Sequence, residues 1–374
     1  MANTNFASLT SNQLTAWSRD FWRVARNMSF INQFAGTGSN AMVQRVTDLT
    51  KSDKGTKAVI TLLADMTGDG VTGDYTLEGN EESLRAYDIT INLDQLRFAN
   101  RLAGRLADQK SVVNFRENSR DALAYAIADR IDQLAFLTLS GVAYTYKTSG
   151  ALRNTSATTG HELADLEYAS DVSAPTTNRH RQWDATNGLS AGDTSAIIAA
   201  DTLSYKCLVE TKAFAKDNYI RGVRGPGGEE MFYAFVTPQQ MADLKLDSDF
   251  LANVRNAGVR GPSNQLFAGT SSLMVDGILV SEFRHVFNTA NATSGSAKWG
   301  SGSDIDGARM LFCGAQALAM ADIGLPEIVE ENFDYGNQQG ISVGKIFGLR
   351  KPKFNSDYNS ATEDFGVVCV DTSF

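Results

Sequence analysis

The sequence predicts an α+β chain, and three stretches carry that prediction. Tyr87, Ile89, Ile91 and Leu93 alternate with Asp88, Thr90 and Asn92, which is strand periodicity. From Ser119 to Ser140 the period changes, and Leu123, Ile127, Ile131, Leu134 and Thr138, with Ala126 and Ala135 beside them, share one helical face. Met231–Val236 reads as a strand that passes through a capping Thr237 and Pro238 into a helix at Gln239–Leu246.

At 374 residues and 43% hydrophobic content the chain buries a core, as two domains or as one body with long excursions. No apolar run approaches the roughly 20 residues that span a bilayer, and Met1–Asn12 lacks the basic and apolar regions of a signal peptide. The sequence therefore places the chain in the cytosol or in something assembled there, away from membranes. Cys207, Cys313 and Cys369 are odd in number, far apart and set among apolar neighbours, the pattern of buried free thiols. A net charge of −9 argues against a protein whose main task is gripping nucleic acid and leaves room for weak, non-specific contact. Through Lys57, seven basic residues face three acids, for which a solvated basic face is the commoner explanation.

In chain order, Ser11–Met28 reads as an amphipathic helix with Leu14, Trp17, Phe21 and Val24 about a turn apart and Trp22 and Arg26 to the side. Trp17 and Trp22 suit either a core or an arm laid across another subunit. Gly36-Thr37-Gly38-Ser39-Asn40-Ala41 matches a dinucleotide fingerprint in letters, but lacks the preceding strand and following helix that make a phosphate cradle, and reads as a linker. Lys51–Lys57 is turn-rich, and Ala58–Ala64 is a strand expected to pair with Tyr87–Leu93. Between them lies Met66-Thr67-Gly68-Asp69-Gly70-Val71-Thr72-Gly73-Asp74 and then Leu77-Glu78-Gly79-Asn80-Glu81-Glu82. This tip has almost nothing apolar to bury, so its partner is expected to be another molecule. Asp65, Thr67, Asp69 and Gly70 begin like a calcium loop, yet the twelfth position is Thr76 rather than glutamate and no helices flank it.

The helix from Ser119 to Ser140, roughly 30 Å long, is expected to start on Ser119 as cap, with Asp121 at the positive dipole end, and to stop at Gly141. Thr145–Gly192, poor in large apolar residues, reads as an irregular surface excursion. Within it, Gly188-Leu189-Ser190-Ala191-Gly192 imitates a hydrolase nucleophile elbow without the buried strand that motif requires. Asp193–Ala215 reads as helix, Leu273–Phe287 as a hairpin turning at Asp276-Gly277, and Asn288–Gly307 as a second loose insertion. Met310–Gly314 is a buried strand running into Ala315–Ala321, and Gly340–Arg350 and Phe365–Val370 are further strands. Gly-Val-Arg-Gly-Pro occurs at Gly222–Pro226 and Gly258–Pro262 as loop punctuation.

Catalytic, metal and cofactor residues are not expected. There is no Walker A sequence, no HExxH and no paired-cysteine framework. His161, His180 and His285 belong to no recognisable nucleophile set, with His285 read as structural within a strand. Asp65, Asp69, Asp74, Glu78, Glu81 and Glu82 stand on a tip with no evident apolar pocket to raise a pKa. A role in salt bridges is more economical, with Arg85, Arg97, Arg101 and Arg105 on the adjoining arm available to meet a neighbour's acidic tip.

Gly68-Asp69-Gly70-Val71-Thr72-Gly73-Asp74 with Leu77-Glu78-Gly79-Asn80-Glu81-Glu82, followed by Leu93-Asp94-Gln95-Leu96-Arg97-Phe98-Ala99-Asn100-Arg101, resembles the extended loop of tailed-bacteriophage major capsid proteins with the Hong Kong 97-type fold. The helix that follows resembles their spine helix, and the family named most closely is that of the N4-like short-tailed phages. The resemblance implies an N-terminal arm (1–50), an extended hairpin (51–92), a peripheral domain (93–145 and 325–374) and an axial domain with two surface insertions (146–324). It implies a subunit that self-assembles into pentamers and hexamers of an icosahedral shell around double-stranded DNA, in the cytoplasm of a bacterial host. A separate scaffolding protein, a portal protein, a possible decoration protein and weakly held DNA are the implied partners. The interface residues it implies are Trp17, Trp22, Asp69, Asp74, Glu78, Glu81, Glu82, Arg85, Arg97 and Arg101. Some members of this wider fold join subunits covalently, but nothing marks an asparagine and acid to match Lys51, Lys54 or Lys57, and no such bond is expected. A cargo-enclosing bacterial compartment shell and a cytosolic enzyme using Gly36-Thr37-Gly38 or Gly225-Pro226-Gly227-Gly228 are the alternatives.

Overall fold

The computed structural model describes residues 29–47, 55–63, 68–83, 86–110, 115–156, 158–225, 227–257, 272–356 and 361–374. In chain order the first elements are β1 (Ala35–Gly36), β2 (Val43–Val46), β3 (Lys57–Leu63), β4 (Ala86–Asn92) and β5 (Asp94–Arg101). Two helices follow, α1 (Arg105–Lys110) and α2 (Phe115–Ser140), then β6 (His180–Asp184), β7 (Gly188–Ala191) and α3 (Tyr205–Asp217). Next come β8 (Val223–Arg224), β9 (Glu230–Val236), α4 (Pro238–Leu246), α5 (Ser248–Ala257), β10 (Ser272–Val275) and β11 (Ile278–Glu282). The chain ends with β12 (Gly307–Cys313), β13 (Leu318–Asp322), β14 (Glu327–Phe333), β15 (Gln338–Arg350), β16 (Lys353–Ser356), β17 (Ala361–Asp364) and β18 (Val367–Ser373).

Two sheets organise these elements. One runs β1, β2, β13, β15, β14, with β5 also on β15; the other runs β10, β11, β9, β12, β18, β6, β7, with β8 on β9. Strand periodicity sends alternate residues of the central strands of the second sheet into two cores. Leu311 and Cys313 of β12 and Val367 and Cys369 of β18 enter a core shared with α2, while Met310, Phe312, Val368 and Val370 enter a second core. That second core is closed by Leu208 of α3, Met241 and Leu244 of α4 and Phe250 of α5. Helix α2 lies between the sheets, packing on β5 and β15 of one and β12 of the other. Its first turns expose one face, whereas Leu134–Ser140 is buried all round, because there the helix has sheet on both sides.

The helix starts earlier than its sequence suggests. Ser119 is a buried interior residue rather than the cap, since α2 already runs from Phe115 and spans about 39 Å. Its end is as expected: Gly141 has φ +67, Val142 N–H donates to Leu137 O and Gly141 N–H donates to Thr138 O, a Schellman stop. The hairpin at Asp276-Gly277 (φ 46 and 74) and the Thr237 cap, with Gln240 closing its capping box, also match expectation.

Several expectations are corrected. Thr145–Gly192 is not a loose excursion: Tyr168 and Arg179 are fully buried, Trp183 lies in the second core, and β6 and β7 join the eight-stranded sheet. It lacks apolar bulk because buried polar and charged groups do part of the packing, with Arg179 Nη2 on Glu363 at 2.7 Å, Asn178 Nδ2 donating to Glu363 at 2.7 Å and Thr176 N–H donating to Asp364 at 3.1 Å. Residues 193–203 are irregular and the helix starts only after Ser204, whose hydroxyl accepts from Cys207 N–H. The 288–307 segment is pinned by buried Thr289 and Trp299. His285 lies beyond the end of β11 rather than within a strand. Gly36–Ala41 links two parallel strands, β1 and β2, with no helix after it. In the two sheets β13 pairs with β15, and β18 lies between β12 and β6. The three cysteines are buried and free; burial pushes the Cys207 thiol up to about 12 and Cys369 to about 11.

Candidate functional site

The hairpin of β3 and β4 is the feature that the rest of the chain cannot enclose. The two strands pair antiparallel over seven residues each, from Lys57↔Asn92 to Leu63↔Ala86. At the root, Ala58, Ile60, Ile89 and Ile91 form a small core with Val46, Ala319 and Ala321. Gly348 makes this approach possible, since an added Cβ would lie 2.1 Å from Asn92 O. Asp171 accepts from Asn92 N–H at 3.2 Å and pairs with Arg350 at 3.2 Å, and Arg350 also donates to Thr90 O. The root is therefore locked into the body.

Beyond it the described residues 68–83 are exposed except for half-buried Val71. Glu82 accepts from Gly68 N–H at 2.7 Å and Glu81 from Gly79 N–H at 2.8 Å, so both carboxylates also shape the tip. Among the described residues no cation pairs with Asp69, Asp74 or Glu78. Tyr75 and Leu77 stand in solvent at 80% and 59% exposure, a cost that isolated folding does not recover. Of the arginines expected to serve a neighbour, Arg97 is exposed on β5 with no acidic partner among the described residues. Arg101 is used within the subunit: its guanidinium lies 4.2 Å from the Phe333 ring and donates to Gln338. Arg105 donates its backbone N–H to Asn337. Trp17, Trp22 and Arg85 lie outside the described residues, as do Asp65 and Thr67.

Where the chain enters the body from the N-terminal side, Asp132 of α2 receives it. Ser29 Oγ donates to Asp132 at 2.7 Å, and the N–H groups of Phe30 and Ile31 donate at 2.8 and 3.1 Å. Burial raises the Asp132 pKa against these three bonds. Phe30 stacks on Phe283 with ring centroids 4.3 Å apart and meets Phe34, Phe136 and Phe235 edge-on or stacked. This anchor was illegible beforehand, because an aspartate inside an apolar helix face carries no sign of which N–H groups it will meet.

A cleft of about 960 Å³ opens between β5 and the 144–166 segment. Arg97, Arg130, Lys147 and Arg153 line it. Sequence reasoning passed over Lys147 and Arg153, whose only signal was two cations flanking Leu152 in a Thr/Ser-rich stretch. No group of three or more metal-ligating side chains occurs among the described residues.

A two-sheet α+β body with a locked, projecting acidic hairpin is the geometry of a subunit built to associate. The comparisons place it: a family described as phage capsid protein matches residues 5–374, and the chain belongs to that family. It is 55% identical over 370 residues, 98% of this chain and 96% of its relative, to the major capsid protein of Pseudomonas phage KPP25. Among solved structures, the capsid of Ralstonia phage GP4 matches with a TM-score of 0.73 and 26% identity, covering 92% of this chain and 90% of that one. The capsid of cyanophage Pam1 matches in fold, with a TM-score of 0.68, 18% identity and coverage of 100% and 95%. The expected fold class is thus the one found, an α+β phage capsid subunit with an extended hairpin and a long central helix. The chain is a phage major capsid protein, a component of the virion shell, and the compartment-shell and enzyme alternatives are set aside.

Proposed function

We propose that this subunit, of the Hong Kong 97 type and nearest to the N4-like phages, assembles as pentamers and hexamers into an icosahedral shell around double-stranded DNA. Assembly takes place in the bacterial cytoplasm with a separate scaffolding protein, around a portal. DNA contact is weak and non-specific, a decoration protein is an optional partner, and the subunit has no catalytic role. Residues 51–92 act as the extended loop, the six-stranded sheet with α2 as the peripheral region, and the eight-stranded sheet with α3–α5 as the axial region. Trp17 and Trp22 belong to an arm laid on a neighbour, while Asp69, Asp74, Glu78, Glu81 and Glu82 meet a neighbour's arginines, Arg85, Arg97 and Arg101 among them.

The observation that supports this reading is the contrast within one hairpin: a root fixed by Gly348, Asp171 and Arg350, and a tip that leaves Tyr75 and Leu77 in solvent. Many modest contacts of this kind become jointly stable when symmetry closes a shell. Reversing Glu81 and Glu82 to lysine is expected to abolish shells seen by electron microscopy while the subunit keeps its circular dichroism spectrum. Wild-type shell yield from that variant refutes the role given to the tip.

A further inference from the structure

Residues 145–153 fold back on themselves as a tight turn. Arg153 N–H donates to Thr145 O and Lys147 N–H to Ala151 O, each at 2.8 Å, and Tyr146 bridges Leu152. With the two-residue period of paired backbone, Lys147 and Arg153 leave the same face of the turn, and both line the cleft beside β5. Arg130 of α2 lines it too. The cleft's own carboxylates are occupied by backbone N–H groups: Asp94 accepts from Gln95 and Glu167, Glu162 from Ser156, and Asp165 from Gly160 and Glu162. Its cations are not matched in the same way. Arg153 donates to two neutral acceptors, Tyr146 O at 3.1 Å and Gln133 Oε1 at 3.0 Å. Arg130 has Asp129 at 3.1 Å, but that carboxylate is shared with Arg284 at 2.6 Å and His285 at 2.8 Å. Lys147 is exposed with no acidic partner among the described residues. Burial, and then the Arg130 charge beside it, lower the Arg153 pKa, as for a guanidinium with a cation for a neighbour and no carboxylate in contact. Arg97 stands apart, since its stem crosses Gly344 of β15, where an added Cβ would lie 3.1 Å from Arg97 Cγ.

We propose that this cleft binds a small phosphate-bearing polyanion, with Arg130, Lys147 and Arg153 on its phosphates and the exposed Asn154 and Thr155 adding neutral donors. The size fits: 960 Å³ lies at the upper end of the roughly 300–1,000 Å³ of small-ligand sites, room for a nucleotide or a short polyphosphate. The chemistry fits as well, because a guanidinium fork meets two phosphate oxygens at once and an ammonium supplies a mobile point charge beside it. The same contacts serve a free polyphosphate or a phosphodiester of a single strand of the genome. Bound there, the anion ties α2 to the 145–153 turn and stabilises the folded subunit by mass action. The site belongs to the single subunit, so it stands or falls apart from the shell-forming reading.

Calorimetric titration of unassembled full-length subunits with sodium tripolyphosphate, ATP and short single-stranded DNA tests the site. One site per subunit is expected, weakening as salt rises because Lys147 is exposed. Lys147→Glu removes a side chain that forms no ion pair among the described residues, so the subunit is expected to keep its circular dichroism spectrum and to bind at least tenfold more weakly. Arg153→Lys keeps the charge but loses the fork, and is expected to bind several-fold more weakly. Lys216→Glu, an exposed change on α3 outside the cleft, is expected to leave binding as in wild type. The saturating probe is also expected to raise the unfolding midpoint of wild type and not that of Lys147→Glu. Tighter binding of tripolyphosphate and ATP assigns the site to free polyphosphate, and tighter binding of the single strand assigns it to the genome; either supports the proposal. No binding of any probe at about 1 mM, or equal weakening by Lys147→Glu and Lys216→Glu, overturns it.

Discussion

Removing Arg309 tests how far buried charge, rather than apolar area, holds the eight-stranded sheet and the end of the long helix together. Arg309 Nε and Nη2 donate to the two oxygens of Asp371 at 2.7 and 2.9 Å, Nη1 donates to Ser140 O at the end of α2 at 2.8 Å, and His180 Nε2 lies 2.6 Å from Asp371. Burial opposes the Arg309 charge, but Asp371 more than restores it; burial likewise opposes the Asp371 charge, and Arg309 holds its pKa below the ordinary carboxylate value. Arg309→Met leaves the fully buried Asp371 carboxylate without its cationic fork and with His180 as its remaining side-chain partner, for which a loss of about 3–5 kcal/mol is expected. Asp371→Leu strands the guanidinium, which keeps only carbonyl and helix-terminus support, and is expected to lose about as much. The double variant leaves neither charge uncompensated and is expected to lose less than either single change, not the sum of about 6–10 kcal/mol. Urea unfolding of unassembled subunits measures all three. A single-variant loss below about 1 kcal/mol, or an additive double variant, refutes the assignment of this cluster as a coupled unit.

Two further outcomes follow from particular residues. Gly141→Ala forces a side chain into φ +67 and sets its Cβ 2.5 Å from Ser173 O; about 1–2 kcal/mol for the backbone conformation alone is expected, and an unfolding midpoint equal to wild type excludes the Schellman stop as a constraint. Asp129 is held at about 2, below its ordinary 3.8, first by the hydrogen bond from His285 and then by the charges of His285 and Arg284. A depressed carboxylate stabilises the fold above its unfolded pKa and loses that contribution as pH falls through the folded one. The stability gap between wild type and Asp129→Asn is therefore expected to be full at pH 6 and to shrink between about pH 4 and 2, and a gap independent of pH contradicts the pairing.

Much of the local structure was written in the residues. The alternation at Tyr87–Leu93, the helical face from Leu123, the Gly141 stop, the Thr237-Pro238 start and the Asp276-Gly277 turn all depend on neighbours a few positions apart, and each appears where expected. Failures cluster where a distant partner decides. Ser119 looked like a cap, yet the helix continues back to Phe115. The 145–192 stretch looked unpacked because its buried groups are Arg179 and Gln182 as well as Tyr168 and Trp183, and their partners lie near the C-terminus.

For the site, the sequence by itself determined that the 66–82 tip had no apolar business with its own chain, because acids and glycines cannot repay the ordering of a long hairpin. Only the tertiary structure decided that the root is locked by Gly348 and Asp171, that Arg101 is already engaged with Phe333, and that Arg97 comes beside Lys147 and Arg153 in one cleft. The reason is physical: charge and period are properties of a segment, whereas which charges remain unmatched depends on which segments the fold brings together.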